Sequence, residues 1–308
     1  MQDQHVYNMT QRRSGEQASS CEVIAAVDDV PVHGHHKPGK AVTASVYRAK
    51  IAGHSRVVTV SWSRDLLSHA FAVSISGADA ECRVELRPWQ FWRRAGSRRV
   101  ELAGGVTVRV LWDLRHARFG AGVAEPRGGY FVAVEAAGEV VLVQGDMRRD
   151  ALRRAAPCAA AEAEAVPVAR REHVFGRRRF AAKALRFHDG GAVHDVAIEC
   201  GQGDQGDDVE MSIAIDGEEA VQVKHLQWKF RGNQSVTFSR AKVEVYWDVH
   251  DWLFSAGTRP ALFIFRPIVL SSASAPAGTM TMLAADGTLS SSSSTTGFCL
   301  YLYAWKLD

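Results

Sequence analysis

An all-β fold of two pseudo-repeated antiparallel sandwich or barrel-like modules, packed together, is what this 308-residue sequence predicts. Three observations carry the prediction. Short apolar runs with period-2 alternation recur between residues 41 and 270, separated by turn residues. One pattern is written twice at nearly constant spacing: Trp92-Arg93-Arg94-Ala95-Gly96, then Val108, Val110, Trp112 and Asp113, and again Trp228-Lys229-Phe230-Arg231-Gly232, then Val243, Val245, Trp247 and Asp248. Finally, Asp216-Gly217 falls between two such runs, where a two-residue hairpin turn needs φ > 0 at both positions.

In chain order, residues 1–40 are polar and aperiodic and read as a disordered arm. The first module, residues 41–147, holds runs at Thr43–Ile51, Val57–Trp62, Phe71–Ile75, Cys82–Trp92, Val106–Leu114, Tyr130–Val134 and Val140–Gln144. Residues 148–172 turn to Arg and Ala with two prolines, a basic linker with room for a short helix at Arg148–Ala155. The second module, residues 173–270, holds runs at Phe180–Phe187, Val193–Cys200, Val209–Ile215, Glu218–Phe230, Ser235–Phe238, Ala241–Val249 and Ala261–Arg266. In the last full run but one, Val243, Val245, Trp247 and Val249 share one pleat face; Val108, Val110, Trp112 and Leu114 do the same in the first module. Trp112 and Trp247 are therefore expected as buried anchors, with Trp92, Asp113, Trp228 and Asp248 as further anchors of the repeat. A Ser-, Ala- and Gly-rich tract at 271–297 is expected as a flexible loop, and residues 298–308 as a strand returning to one sheet. Trp62, Trp89, Trp92 and Trp305 are expected to supply the aromatic surface on which the modules meet.

Composition narrows the function classes. Thirty-seven Lys plus Arg against 34 Asp plus Glu is nearly balanced, so strong basic attraction to nucleic acid is excluded as a property of the whole chain. Five scattered cysteines with no C-x-x-C pair offer neither a zinc knuckle nor a redox motif, and reduced thiols are expected. The polar start lacks the apolar core of a secretory signal, and no run reaches the roughly 18 apolar residues of a spanning helix. A cytoplasmic or nuclear protein is expected, with no cofactor and no metal site.

Several stretches are distinctive. Arg171-Glu172-His173-Val174-Phe175-Gly176, Val223 to Gln234, Val245 to Phe254, Val58 to Ser63, Trp112 to Arg115 and Tyr301 to Trp305 together resemble the plant family known as domain of unknown function 868. The resemblance runs from about residue 41 to the end. It implies a plant origin and brings no activity, substrate or catalytic residue with it.

Three clusters carry candidate chemistry. Tyr246, Asp248, His250 and Asp251 beside Trp252 place carboxylate and imidazole two residues apart; an Asp orienting a His is half of a general acid–base device, but a hydrolase would also need a nucleophile and an oxyanion hole, and neither is visible. The competing reading has Asp113 and Asp248 accepting backbone N–H groups at a strand-to-loop corner. Lys224 to Gln234 interleaves His225, Lys229 and Arg231 with Trp228 and Phe230, suited to stacking on bases or sugars, or, if Leu226, Trp228 and Phe230 share a pleat face, to core packing. Arginines 148, 149, 153, 154, 170, 171, 177, 178, 179 and 186, with Lys183, cluster around the linker and suit phosphates or another anionic partner. The balance favours a non-enzymatic binding or scaffold protein that meets a protein partner or ligand at its loops or module junction, with His225, Lys229, Arg231, His250 and Trp252 as candidate contact residues. Anion or nucleic-acid binding through Arg177, Arg178 and Arg179 is one alternative, and a hydrolase at Asp248 and His250 is the other. His33, His35 and His36, and Asp204, Asp207 and Asp208, lack the ligand spacing of a metal site.

Overall fold

The computed structural model describes residues 41–155, 165–186, 192–202, 208–238, 241–255, 259–268 and 298–307. Seventeen strands are described, in three antiparallel-dominated sheets. β1 (Ala41–Ile51), β2 (His54–Arg64), β3 (His69–Ile75) and β4 (Cys82–Leu86) are followed by a 3-10 turn, Phe91–Arg94, then by β5 (Ala95–Leu102), β6 (Val106–Asp113), β7 (Phe131–Ala136) and β8 (Glu139–Gln144). Helix α1 (Arg148–Ala155) leads to β9 (Val166–Gly176), β10 (Arg179–Arg186), β11 (Val193–Gln202), β12 (Val209–Ile215) and β13 (Glu218–Val223). Then come β14 (Arg231–Phe238), β15 (Ala241–Asp248), the short helix α2 (His250–Phe254), β16 (Ala261–Ile268) and β17 (Cys299–Lys306). The all-β expectation holds.

Nine strands form one sheet in the order β14-β15-β16-β17-β9-β1-β2-β3-β4, and two four-stranded sheets, β5 to β8 and β10 to β13, cover its two halves. One core lies between β1–β4 and β5–β8, around Trp62, Phe71, Trp112 and Tyr130. A second lies between β10–β13 and β14–β17, around Phe180, Ile213, Trp247 and Phe263. The inward faces read from period-2 alternation are buried in both β6 and β15. Leu111, on the other face of β6, is also buried, because α1 lays Ala151 and Ala155 over Leu111, Phe131 and Val140. Asp150 in the first turn of α1 and Arg153 and Arg154 in the last complement its dipole. Asp216 and Gly217 have φ of 54° and 87°, the left-handed pair that the β12–β13 hairpin requires.

The stretch expected to be a linker contains the strand on which the two halves join. β9 pairs antiparallel with β1 and parallel with β17, so the halves meet through a continuous backbone ladder and not through aromatic surface. Two prolines and a run of arginines hid it. Arg170 is half-buried there between Glu125 Oε2 at 2.8 Å and Glu172 Oε1 at 2.7 Å, and also reaches Ser45 Oγ at 3.2 Å. Burial works against the Arg170 charge, but the two carboxylates outweigh it and hold the guanidinium protonated, while burial pushes Glu172 up against the pull of Arg170. Glu125 Oε1 also accepts from Tyr130 Oη at 2.9 Å and Gln144 Nε2 at 3.1 Å, and Gln144 Oε1 accepts from Trp62 Nε1 at 3.2 Å. Such a network is stable because nearly every member is satisfied.

Two other runs end early. Cys82–Trp92 stops at Leu86, and Glu218–Phe230 stops at Val223. Both stops open connections that define the candidate site.

Candidate functional site

Each connection is a short, ordered turn hung from a buried indole. In the first, Trp112 Nε1 donates to Arg93 O at 2.9 Å; in the second, Trp247 Nε1 donates to Lys229 O at 3.0 Å. Gly96 sits opposite Trp112 in the β5–β6 ladder, and Gly232 sits opposite Trp247 in β14–β15. A Cβ at either glycine would lie 2.6 Å or 2.3 Å from the facing indole Cζ2, so glycine is what lets the ring lie flat against the neighbouring strand. Leu114 N–H donates to Arg94 O at 2.6 Å and Val249 N–H to Phe230 O at 2.9 Å, which ties each turn to the strand end beside it. Asp113 Oδ1 accepts the Arg115 N–H and Asp248 Oδ1 the His250 N–H, both at 3.1 Å. That is the corner role weighed for these aspartates.

The tryptophans inside the turns behave differently from those beneath them. Trp112 and Trp247 are 7% and 8% exposed, but Trp92 and Trp228 are 61% and 81% exposed. Trp92 and Trp228 are therefore not core anchors. The reason is local: residues 225–229 close a single turn, with Trp228 N–H and Lys229 N–H both donating to His225 O, so the strand alternation that would bury Leu226, Trp228 and Phe230 together does not apply. Leu226 alone of the three is fully buried.

The other site residues distribute as follows. His225 Nδ1 lies 2.7 Å from Asp208 Oδ2, and Arg231 Nε donates to Asp248 Oδ2 at 2.7 Å. His250 pairs through Nδ1 with Asp251 Oδ1 at 3.0 Å, not with Asp248, and Arg259 holds the other Asp251 oxygen at 2.9 Å. The bonds from His250 and Arg259 keep the Asp251 carboxyl below its ordinary range. The Asp248–His250 dyad is thus not formed: Asp248 is committed to a backbone corner and Arg231. Trp252 is buried against Phe180, under Lys306 Nζ at 4.2 Å from its ring, because α2 turns it inward; it offers no contact surface.

The arginines do not make one patch. Arg153 pairs with Asp150, Arg154 lies 3.7 Å from Asp113, and Arg170 is held in its network by Glu125 and Glu172. Arg178 and Arg179 line an open depression of about 500 Å³, but Glu199, Glu210 and Glu219 line it too, and Arg179 meets Glu199 at 3.1 Å. Burial pushes the Cys200 thiol in its wall up to about 12, so it is no nucleophile. Among the described residues, no three His, Cys, Asp or Glu side chains converge as metal ligands, and no helix is long and apolar enough to cross a membrane. His33, His35, His36, Asp204 and Asp207, the arm and the 271–297 tract lie outside the described residues.

The sequence matches a family model over residues 38–306, which takes in both connections and every described strand. The chain belongs to the plant protein family of unknown function DUF868. Among curated proteins, none matches this DUF868 chain.

Sequence reasoning missed the exposure of Trp89, Phe91 and Trp92, and of Leu66 and Leu67 in the β2–β3 turn. Pro88 was the available signal, since a proline inside an apolar run marks an edge or the end of a strand.

Proposed function

We propose that this DUF868 chain is a non-enzymatic binding protein whose contacts are made by the two aromatic-basic turns, 87–94 and 224–230. The observation that carries this reading is the pairing of a buried indole, which holds the turn's backbone, with an indole left open to solvent at its tip. Large exposed aromatics flanked by arginine are the composition of interaction hot spots, and an ordered turn loses little entropy on binding. Strand directions support joint use: β4 ends and β14 begins at the same end of the nine-stranded sheet, so both turns leave it there. The matched indole, glycine and aspartate geometry also supports descent of both turns from one doubled segment. Use of the linker arginines as a polyanion site has less support, because Arg153, Arg154, Arg170 and Arg179 are paired with acids. A hydrolase at His250 lacks its dyad.

Site-specific photo-crosslinking checks the reading. A photoreactive phenylalanine analogue is placed at 92, at 228 or at 166 in the full chain and irradiated in plant cell extract; Val166 is exposed but starts β9 at the opposite end of the sheet. Discrete adducts, protein or lipid by mass, are expected from 92 or 228 and not from 166. Equal labelling at all three positions, or none, would overturn it.

A further inference from the structure

We infer that the first turn docks on an anionic lipid surface, an inference that rests on the proposed binding role and names the partner of one of its two turns. His69 pairs with Arg64 on one side and Leu86 on the other, so the β2–β3 turn and the 87–94 connection emerge side by side from the same strand ends. Together they present Leu66, Leu67, Trp89, Phe91 and Trp92, all exposed, with Leu66 open over its whole surface. No other place among the described residues gathers so many exposed large apolar side chains. Scattered apolar residues are ordinary, whereas a contiguous group at a loop tip is a contact surface.

Charge selects the occupant. Residues 64–68 and 87–94 carry four arginines and a single acid, Asp65. Arg87 leans toward Glu85 at 3.4 Å, but Arg93 and Arg94 are exposed and make no ion pair among the described residues. Exposed indoles and aliphatic tips beside unpaired arginines match the layered chemistry of a bilayer face: acyl boundary for leucine and phenylalanine, headgroup level for tryptophan, anionic phosphate for arginine. The shape agrees. These side chains cap turns that project beyond the strand ends, and a bilayer, unlike a protein hot spot, needs no matching pocket to receive them. The turn is also braced from within, by Trp112 Nε1 on Arg93 O and by the edge-to-face contact of Phe91 and Trp92 at 5.2 Å.

The test is sedimentation of the full chain with vesicles of phosphatidylcholine alone or mixed with phosphatidylserine. Binding is expected only with phosphatidylserine, and it should weaken about tenfold when salt is raised well above physiological strength. Arg93→Ser/Arg94→Ser should lower partition about thirtyfold. Phe91→Ser/Trp92→Ser should abolish it, while Val166→Ser, at the opposite end of the sheet, should change it by less than about twofold. Unchanged thermal midpoints confirm that each variant is folded. As a readout independent of affinity, brominated lipid should quench tryptophan emission in the native chain more than in Trp89→Phe/Trp92→Phe. No partition onto anionic vesicles, or partition indifferent to salt and to these variants, overturns the inference. If vesicles fail but position 92 still cross-links to a discrete protein, the lipid inference falls and the binding role stands. If both fail, both fall.

Discussion

The two turns share a frame and differ in what is built on it. Under each, an indole reaches a backbone carbonyl, a glycine clears space for the ring, and an aspartate accepts an N–H two residues on. Above the frame, the first turn keeps Trp89, Phe91 and Trp92 in solvent, and Arg93 and Arg94 are exposed with no ion pair among the described residues. In the second, Phe230, His250 and Phe254 meet ring against ring at 5.1 to 5.9 Å and His225 and Arg231 are matched by Asp208 and Asp248, while Trp228, Lys224 and Lys229 stay exposed. One scaffold thus carries an open tip and one whose rings and charges are partly matched within the chain. Stability is expected of the shared frame, and, on the proposed binding role, partner choice of the residues added on top.

If the frame is the same, breaking it should cost the same at both ends. Trp112→Ala and Trp247→Ala should each destabilise by about 3–5 kcal/mol, the range for a large buried aromatic, read from denaturant unfolding. Each should also speed tryptic cleavage in its own turn, at Arg93-Arg94 or at Lys229, while leaving the other turn intact. A difference between the two variants of more than about 2 kcal/mol would mean that the frames are not equivalent supports.

The corner aspartates sharpen the contrast. The Asp113 side chain is 6% exposed and lies within reach of Arg115 and Arg154, whereas Asp248 is 42% exposed and holds Arg231 alone. Asp113→Ala should therefore cost about 2–3 kcal/mol and Asp248→Ala about 1 kcal/mol. Burial works against the Asp113 charge, but the bonds from Arg115 and the charge of Arg154 outweigh it, and its carboxyl lies below the ordinary range. The contribution of a group lowered in this way is complete above its unfolded pKa, near 4, and is lost as pH falls through the folded value. Unfolding free energies between neutral pH and about pH 3 should accordingly drop less steeply in Asp113→Ala than in the parent. Parallel acid limbs would show that the carboxylate is not held by its arginines.

Most of the fold was legible because the strands obey period 2 and are bounded by turn residues. The β12 range and helix α1 fall where the alternation and the arginine-alanine composition place them. What escaped was structure decided by distant partners. β9 reads as a linker because Pro167 and the Arg170-Arg171 pair contradict a central strand, and Arg170 is tolerable there because Glu125, from the loop before β7, joins Glu172 in balancing its charge. β5 has exposed Ser97, Arg98 and Arg99 along most of its length and takes its register from β6. The candidate site was half visible. The repeated Trp-basic-Gly pattern pointed to Trp92 and Trp228, but alternation assigned Trp228 to the core, and a one-turn closure at His225, where φ is 55°, reversed its direction. The Asp248–His250 spacing suggested a dyad that geometry gives to Asp251.

The smallest expected effect separates tip from frame most cleanly. Trp92→Ser and Trp228→Ser remove rings that lie mostly in water, and the main-chain carbonyls of Arg93 and Lys229 that accept the Trp112 and Trp247 Nε1–H bonds are left in place. Each should shift unfolding free energy by no more than about 0.5 kcal/mol, the usual range for a surface position. Of the two, Trp92→Ser is the more exacting, because its ring meets Phe91 edge-to-face, a contact that would add about 0.5–1.5 kcal/mol in a desolvated setting. A loss near that upper value would show that Phe91 and Trp92 form a small packed cluster and that the tip is part of the frame after all. A loss near zero, together with discrete adducts from the photoreactive analogue at position 92, would support contact as the role of the ring.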